Sequence, residues 1–181
     1  MTAIPKKNVL AISGSTRADS SNMLLIKAIA ALSSKDAAIE IYNKLEELPH
    51  FNPDLDGAVV PKAVEQFRNK IQEADGVLIC TPEYVFSLPA ILKNAIEWTV
   101  STIVFSDKPV ALITASGLGE KAHESLQLIM KTVGAEFNEQ TQLLISGARS
   151  KVNSNAEIMD EDTLIKVKEL VEAFMKLLSN K

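Results

Sequence analysis

The sequence predicts a doubly wound α/β fold, with a five-stranded parallel sheet as the middle of three layers and helices on both faces. Three observations predict it. Five short apolar runs alternate with five segments of helical period along the 181 residues, the pattern of parallel strands joined by crossover helices. The runs Val9-Leu10-Ala11-Ile12 and Gly76-Val77-Leu78-Ile79-Cys80-Thr81 show no in–out alternation, as befits strands covered on both faces. The loops after the first, third and fourth runs, at 13–22, 81–88 and 115–120, are rich in Gly, Ser, Thr or Pro. Open sheets of this class bind ligands beyond the C-terminal strand ends, where the winding reverses.

Residues 9–12 read as the first strand and 21–33 as the helix behind it, started by Ser20, a favoured N-cap residue. Ala38-Ile39-Glu40-Ile41-Tyr42 alternates, which suits an edge strand. The prolines and Asx residues of 48–57 forbid regular structure. Pro61 opens a helix over 61–73 whose buried face is Val64, Phe67, Ile71 and Ala74. Residues 76–81 form a central strand, and Pro89 opens a helix carrying Ile91, Leu92, Ala95, Ile96 and Trp98. A strand over 109–115, a helix over 120–133 and a strand over 141–145 follow. After a polar stretch the last helix covers 161–178, its start marked by Asp160, Glu161 and Asp162. No repeat or linker divides the chain, so one domain spans residues 1–181.

Bulk properties exclude several classes. A net charge of -4 gives no electrostatic reason to expect nucleic acid. No apolar run approaches the roughly 20 residues of a bilayer span, so no membrane is expected. The first residues, Met1-Thr2-Ala3-Ile4-Pro5-Lys6-Lys7, lead into a strand rather than the apolar core of a signal peptide. The one cysteine, Cys80, cannot form an internal disulfide. Together these point to the cytoplasm.

The chemistry begins at 13–22. A strand, a loop and a helix in succession aim free backbone N–H groups and the positive end of a helix dipole at one place. Hydroxyls on Ser15, Thr16, Ser20 and Ser21 add donors, and Arg17 adds a fork-shaped cation suited to phosphate. Helix capping by Ser20 is compatible with that role. The loop matches neither the nucleoside-triphosphatase pattern nor the dinucleotide fingerprint. In 81–89, two prolines stiffen the loop while Tyr84 and Phe86 supply ring faces. Packing of those rings onto the sheet is the other reading of that loop. With both loops at one sheet edge, a flat phosphorylated ligand is the better one.

Gly14-Ser15-x-Arg17-x-x-Ser20-x-Asn22 and Pro82-Glu83-Tyr84-x-x-Ser87-x-Pro89-x-x-Leu92-Lys93-Asn94-Ala95-x-Glu97-Trp98 resemble the two signatures of the NADPH-dependent FMN reductase family. The resemblance covers nearly the whole chain in element order. It implies a flavodoxin-like sheet of order 2-1-3-4-5, an FMN cofactor, and NADPH or NADH as reductant. Ser15, Arg17, Ser20 and Asn22 would hold the FMN phosphate, within the cradle that Thr16 and Ser21 share. Pro82, Glu83, Tyr84 and Ser87, with the neighbouring Val85 and Phe86, would border the isoalloxazine ring, and Ser116 and Gly117 would approach its pyrimidine end. A homodimer or homotetramer is implied, with the helix after the Pro-Glu-Tyr loop packed across the interface. The chain departs from the family at Val85 and Phe86, where many members carry Asn followed by Gly, His or Tyr. It departs again at Leu118-Gly119-Glu120-Lys121, where more glycine is usual.

The expected activity is therefore hydride transfer from NAD(P)H to flavin N5, then electron transfer to a small-molecule acceptor: a quinone, azo compound, free flavin or metal oxyanion. The flavin carries the chemistry, so no side chain is assigned as catalytic. The alternative is an FMN-binding electron carrier, or a flavin redox sensor, without NAD(P)H turnover. Cys80 reads as a small buried hydrophobe and Trp98 as core or subunit interface. His50 and His123 have no metal-ligand spacing.

Overall fold

Five parallel strands form the sheet: β1 (Lys7–Ser13), β2 (Ala37–Tyr42), β3 (Gly76–Thr81), β4 (Val110–Ser116) and β5 (Gln142–Ser146), in the order β2-β1-β3-β4-β5. The computed structural model describes residues 5–180, so the first part of the Met1–Lys7 lead-in lies outside the described residues. Five helices alternate with the strands: α1 (Ser21–Leu32), α2 (Lys62–Glu73), α3 (Ala90–Glu97), α4 (Glu120–Thr132) and α5 (Glu161–Ser179). Sheet order and class agree with the sequence expectation, and β2 takes the edge position that its alternation implied.

Alternate residues of the central strands feed two separate cores, because side chains along a strand point to opposite faces. Leu10, Ile12, Val77, Ile79 and Leu112 pack with α2, α3 and α4 on one face. Val9, Ala11, Leu78, Cys80 and Ile113 pack with α1 and α5 on the other. The chain leaves β1 for β2 on one side and returns to β3 on the other. The crevice at that reversal opens between the C-terminal ends of β1 and β3.

Gly14 sits where the two ends approach most closely. A Cβ there would lie 2.7 Å from the Thr81 Cβ and 3.2 Å from Leu92 Cδ2. The loop's single glycine is thus required by close packing of the strand ends, not by an unusual backbone angle.

Local departures have local causes. Pro53–Leu55 forms a 3-10 turn inside the stretch read as irregular, because Asn52 Oδ1 accepts from Asp54 N at 3.0 Å. Thr141 belongs to a 3-10 turn rather than to β5, since Asn138 caps that turn at Thr141 N and Thr141 Oγ1 accepts from Asn138 N. Pro61 and Pro89 cap α2 and α3 from just outside them. Trp98 is fully buried: its indole N–H donates to Pro49 O at 2.7 Å, and Phe51 meets it edge-on at 5.1 Å. Asn94 accepts from Phe51 N and donates to Pro49 O. The Asn and Trp of the second signature therefore fasten the 48–57 stretch to α3.

Candidate functional site

The β1–α1 loop is held in shape by its own hydroxyls. Ser13 Oγ accepts from Ser15 N at 3.2 Å, Ser15 Oγ accepts from Arg17 N at 3.3 Å, and Ser20 Oγ caps α1 by accepting from Met23 N at 3.2 Å. Capping leaves the Ser15 and Ser20 hydroxyl protons free to donate outward. The N–H groups of Thr16, Ala18, Asp19, Ser21 and Asn22 have no acceptor among the described residues. Unpaired amides at a helix N-terminus form an anion-binding arrangement. Arg17 is exposed and makes no ion pair among the described residues.

Asn22 is placed differently from its neighbours. Its side chain is buried, donates through Nδ2 to Ala115 O at 3.1 Å and accepts from Cys80 Sγ at 3.3 Å. These two bonds fasten α1 to β3 and β4, so Asn22 faces the loop with its backbone N–H and not its amide side chain. Burial pushes the Cys80 thiol far up, keeping it a neutral S–H donor for that bond. The sequence expectation that Asn22 holds a phosphate meets a side chain already bonded within the fold.

The β3–α3 loop builds the facing wall. Tyr84 and Ser87 exchange both backbone hydrogen bonds, Tyr84 N to Ser87 O at 3.0 Å and Ser87 N to Tyr84 O at 3.1 Å. The residues between them, Val85 and Phe86, have φ of 52° and 55°. This is a two-residue hairpin turn of the I′ kind, which asks for Asn-Gly and here holds a β-branched and an aromatic residue. Both side chains project into solvent, Val85 95% and Phe86 72% exposed. Glu83 turns inward, its carboxylate accepting from Ala122 N at 2.9 Å and from Gly119 N at 3.4 Å. It caps α4 from another loop, because Gly119 at the cap position has no side chain to do so.

These loops enclose a cleft of about 810 Å³ beyond the C-terminal ends of β1, β3, β4 and β5. Ser15, Arg17, Ser20, Ser21 and Asn22 line one side. Pro82, Glu83 and Tyr84, with Ser116 and Gly117, line the rest of it. Thr16 faces a smaller cavity of about 440 Å³ on the β2 side of the same loop, together with Arg17. Val85, Phe86 and Ser87 line neither. The structure adds a wall that sequence reading missed, residues 147–150 after β5. The signal was present in Gly147 followed by Arg149 at a strand end, within a stretch read only as polar.

A doubly wound parallel sheet, with an anion cradle after β1 and a proline-stiffened aromatic wall after β3, defines the flavodoxin-like class. Residues 7–149 match the family described as NADPH-dependent FMN reductase. The chain belongs to that family. It is 32% identical over 174 residues to the NADH:(hydroxy)cinnamate reductase subunit CrdA of Vibrio ruber, covering 93% of this chain and 85% of that protein. It is 33% identical over 180 residues to the NADPH:quinone oxidoreductase of Arabidopsis thaliana, covering 94% and 92%. Among solved structures, the flavoenzyme NAD(P)H:(acceptor) oxidoreductase FerB of Paracoccus denitrificans matches with a TM-score of 0.79 at 27% identity, over 96% of this chain and 98% of that one. No helix among the described residues is long and apolar enough to cross a membrane.

The residues present fit FMN. The unpaired amides, two free hydroxyl donors and Arg17 match a phosphate monoester. The remaining cleft is polar along Ser116–Gly117 and walled by Pro82 and Tyr84, as a ring with one hydrogen-bonding edge requires.

Proposed function

We propose that the protein is an FMN-dependent NAD(P)H oxidoreductase that reduces a small organic acceptor, with quinones and free flavins first in line and azo compounds and metal oxyanions behind them. The observation that carries this reading is the set of unpaired amides beside Arg17, opening into the same cleft as the Pro82–Tyr84 wall. Relatives named as quinone reductase and as flavin reductase support the acceptor class. Bound FMN would supply the redox chemistry, taking hydride from the nicotinamide and handing electrons to the acceptor.

The chain's own work is to bind and orient. The main chain of 16–22 with Ser15, Ser20 and Arg17 anchors the phosphate. Pro82, Tyr84, Ser116 and Gly117 border the ring, and backbone N–H groups of those loops would stabilise negative charge arriving on it. Glu83 takes no proton in this scheme; its carboxylate holds the ring-side loops together. The apolar Val85–Phe86 tip and the exposed Val100 and Ile103 after α3 support burial against a second copy, in a homodimer or homotetramer. The single, buried thiol is compatible with a reducing cytoplasm.

The test is absorbance of the purified protein followed by anaerobic NADPH. A yellow protein that bleaches with NADPH and recovers with a quinone is the expected result. Colourless protein whose melting temperature ignores added FMN would overturn it. An electron carrier would bind FMN yet show no steady-state NAD(P)H turnover.

A further inference from the structure

We infer that Arg149 is a substrate-binding residue of the cleft that grips a phosphate group of the pyridine nucleotide. This inference rests on the oxidoreductase reading above. Arg149 lies on the 3-10 turn Ala148–Ser150 after β5 and lines the same cleft as Arg17, from a different wall.

The turn is a fixed platform. Ser146 Oγ donates to Leu118 O at 2.9 Å, and Gly147 N donates to Gly117 O at 3.0 Å, fastening it to the loop beside the ring position. Ala148 is buried, and Ser150 Oγ closes the turn by donating to Gly147 O at 3.0 Å. Gly147 has φ of 65°, so the bend into the turn uses a conformation that suits glycine. The two basic residues of this segment have separate duties. Lys151 pairs with Asp160 at 3.5 Å, at the cap of α5, whereas Arg149 makes no ion pair among the described residues.

The substrates proposed above narrow what a second guanidinium can serve. FMN brings one phosphate, and the α1 wall with Arg17 already provides for it. A quinone, first among the acceptors, is uncharged, and an anionic acceptor such as free FMN or a metal oxyanion would betray itself by a change in acceptor KM alone. The pyridine nucleotide carries a pyrophosphate in both its forms and a 2′-phosphate in NADPH alone. A planar, always-charged fork on a rigid turn is suited to bidentate phosphate recognition. The shared chemistry is a nucleotide phosphate, and two ligands separate its sources.

The experiment uses FMN-loaded wild-type protein and the Arg149→Gln and Arg149→Lys variants, with NADP+ and NAD+ affinities measured by calorimetry alongside KM for NADPH and NADH. Arg149→Gln should weaken binding by roughly tenfold or more, the worth of a charge-assisted hydrogen bond. Arg149→Lys should recover part of it, and melting temperature and FMN affinity should stay at the wild-type level. A loss confined to NADP+ assigns the 2′-phosphate; an equal loss for both nucleotides assigns the pyrophosphate. Unchanged nucleotide affinities overturn the inference, as does a fall in FMN affinity, which would give Arg149 to the FMN phosphate. A KM change seen only for the acceptor overturns it too. Wild-type protein that binds FMN but oxidises neither nucleotide overturns the function reading instead, and Arg149 is then judged on NADP+ and NAD+ affinity alone.

Discussion

The Glu83 carboxylate accepts a hydrogen bond from the backbone N–H of Ala122 at 2.9 Å, bringing the loop after β3 onto the N-terminus of α4. Its other oxygen reaches Gly119 N at 3.4 Å. A negative group at the positive end of a helix dipole is favourable there, and the bond couples the loops after β3 and β4 on the two sides of the cleft. Glu83→Ala should cost about 1–2 kcal/mol, the worth of a helix cap, and weaken FMN binding as the loops separate. Glu83→Gln keeps an acceptor for Ala122 N and should lose less. Thermal melts and FMN titrations of the two variants check this; equal losses in both would point to a role for the charge beyond capping.

The Val85–Phe86 turn stores strain. Non-glycine residues in the left-handed region cost about 1–2 kcal/mol each, and neither side chain recovers that by burial within its own chain. The double variant Val85→Asn, Phe86→Gly restores the residues that the turn prefers. Its melting temperature should rise, while acceptor selectivity or self-association changes, because the apolar tip is lost. Melts, acceptor series and light scattering measure the three. A variant less stable than wild type, still of the same oligomeric size, would show that the turn is not strained.

Arg17 adds charge to a cradle whose amides are already in place. Arg17→Ala should leave the melting temperature of the FMN-free protein unchanged, since Arg17 is exposed and makes no ion pair among the described residues. FMN affinity should fall by about 1.5–3 kcal/mol, the range for hydrogen bonds to charged groups. Flavin fluorescence quenching on titration measures it. Affinity equal to wild type would remove Arg17 from the phosphate site.

Gly14→Ala probes the strand ends themselves. The added methyl would press on Thr81 and Leu92 in a fully packed crevice, a change that commonly costs about 1–3 kcal/mol. Denaturant melts of the variant should show that loss together with weaker FMN binding, because the cradle begins at the next residue.

What the sequence discloses and what it hides divide along sequence distance. The alternation of runs and the cradle residues 15–21 are local patterns, readable from spacing and residue type. The Glu83 cap joins residues 39 apart, and the Asn22 bond to Ala115 joins residues 93 apart. Neither leaves a periodic trace. Asn22 carries an amide that serves a phosphate or a carbonyl equally well, and only the fold decides between them. The Val85–Phe86 turn is hidden for the opposite reason: its residues argue against the backbone they adopt. Arg149 is one basic residue in a polar stretch until β5 brings it beside the cleft.

His123 gives the protein a pH dependence with a definite sign. Its Nδ1 lies 3.0 Å from Thr114 Oγ1, and Thr114 is fully buried on β4. Burial pulls the imidazole below its ordinary value, which is near 6.5 in an unfolded chain. In the interval between the two values the unfolded chain binds more proton than the folded one, so stability rises with pH. The contribution is therefore full above about pH 6.5 and is lost as the pH falls through that interval. In the imidazolium both ring nitrogens are donors, so the Nδ1–Thr114 contact then has the Thr114 hydroxyl oxygen as its acceptor. His123→Gln keeps a hydrogen-bonding partner without the titration, so its stability should be flatter than wild type between about pH 6.5 and 5, above the carboxylate range. Denaturant midpoints across that span measure the difference. His50, the only other histidine, is exposed, so parallel profiles for the two proteins would take His123 out of the pH dependence altogether.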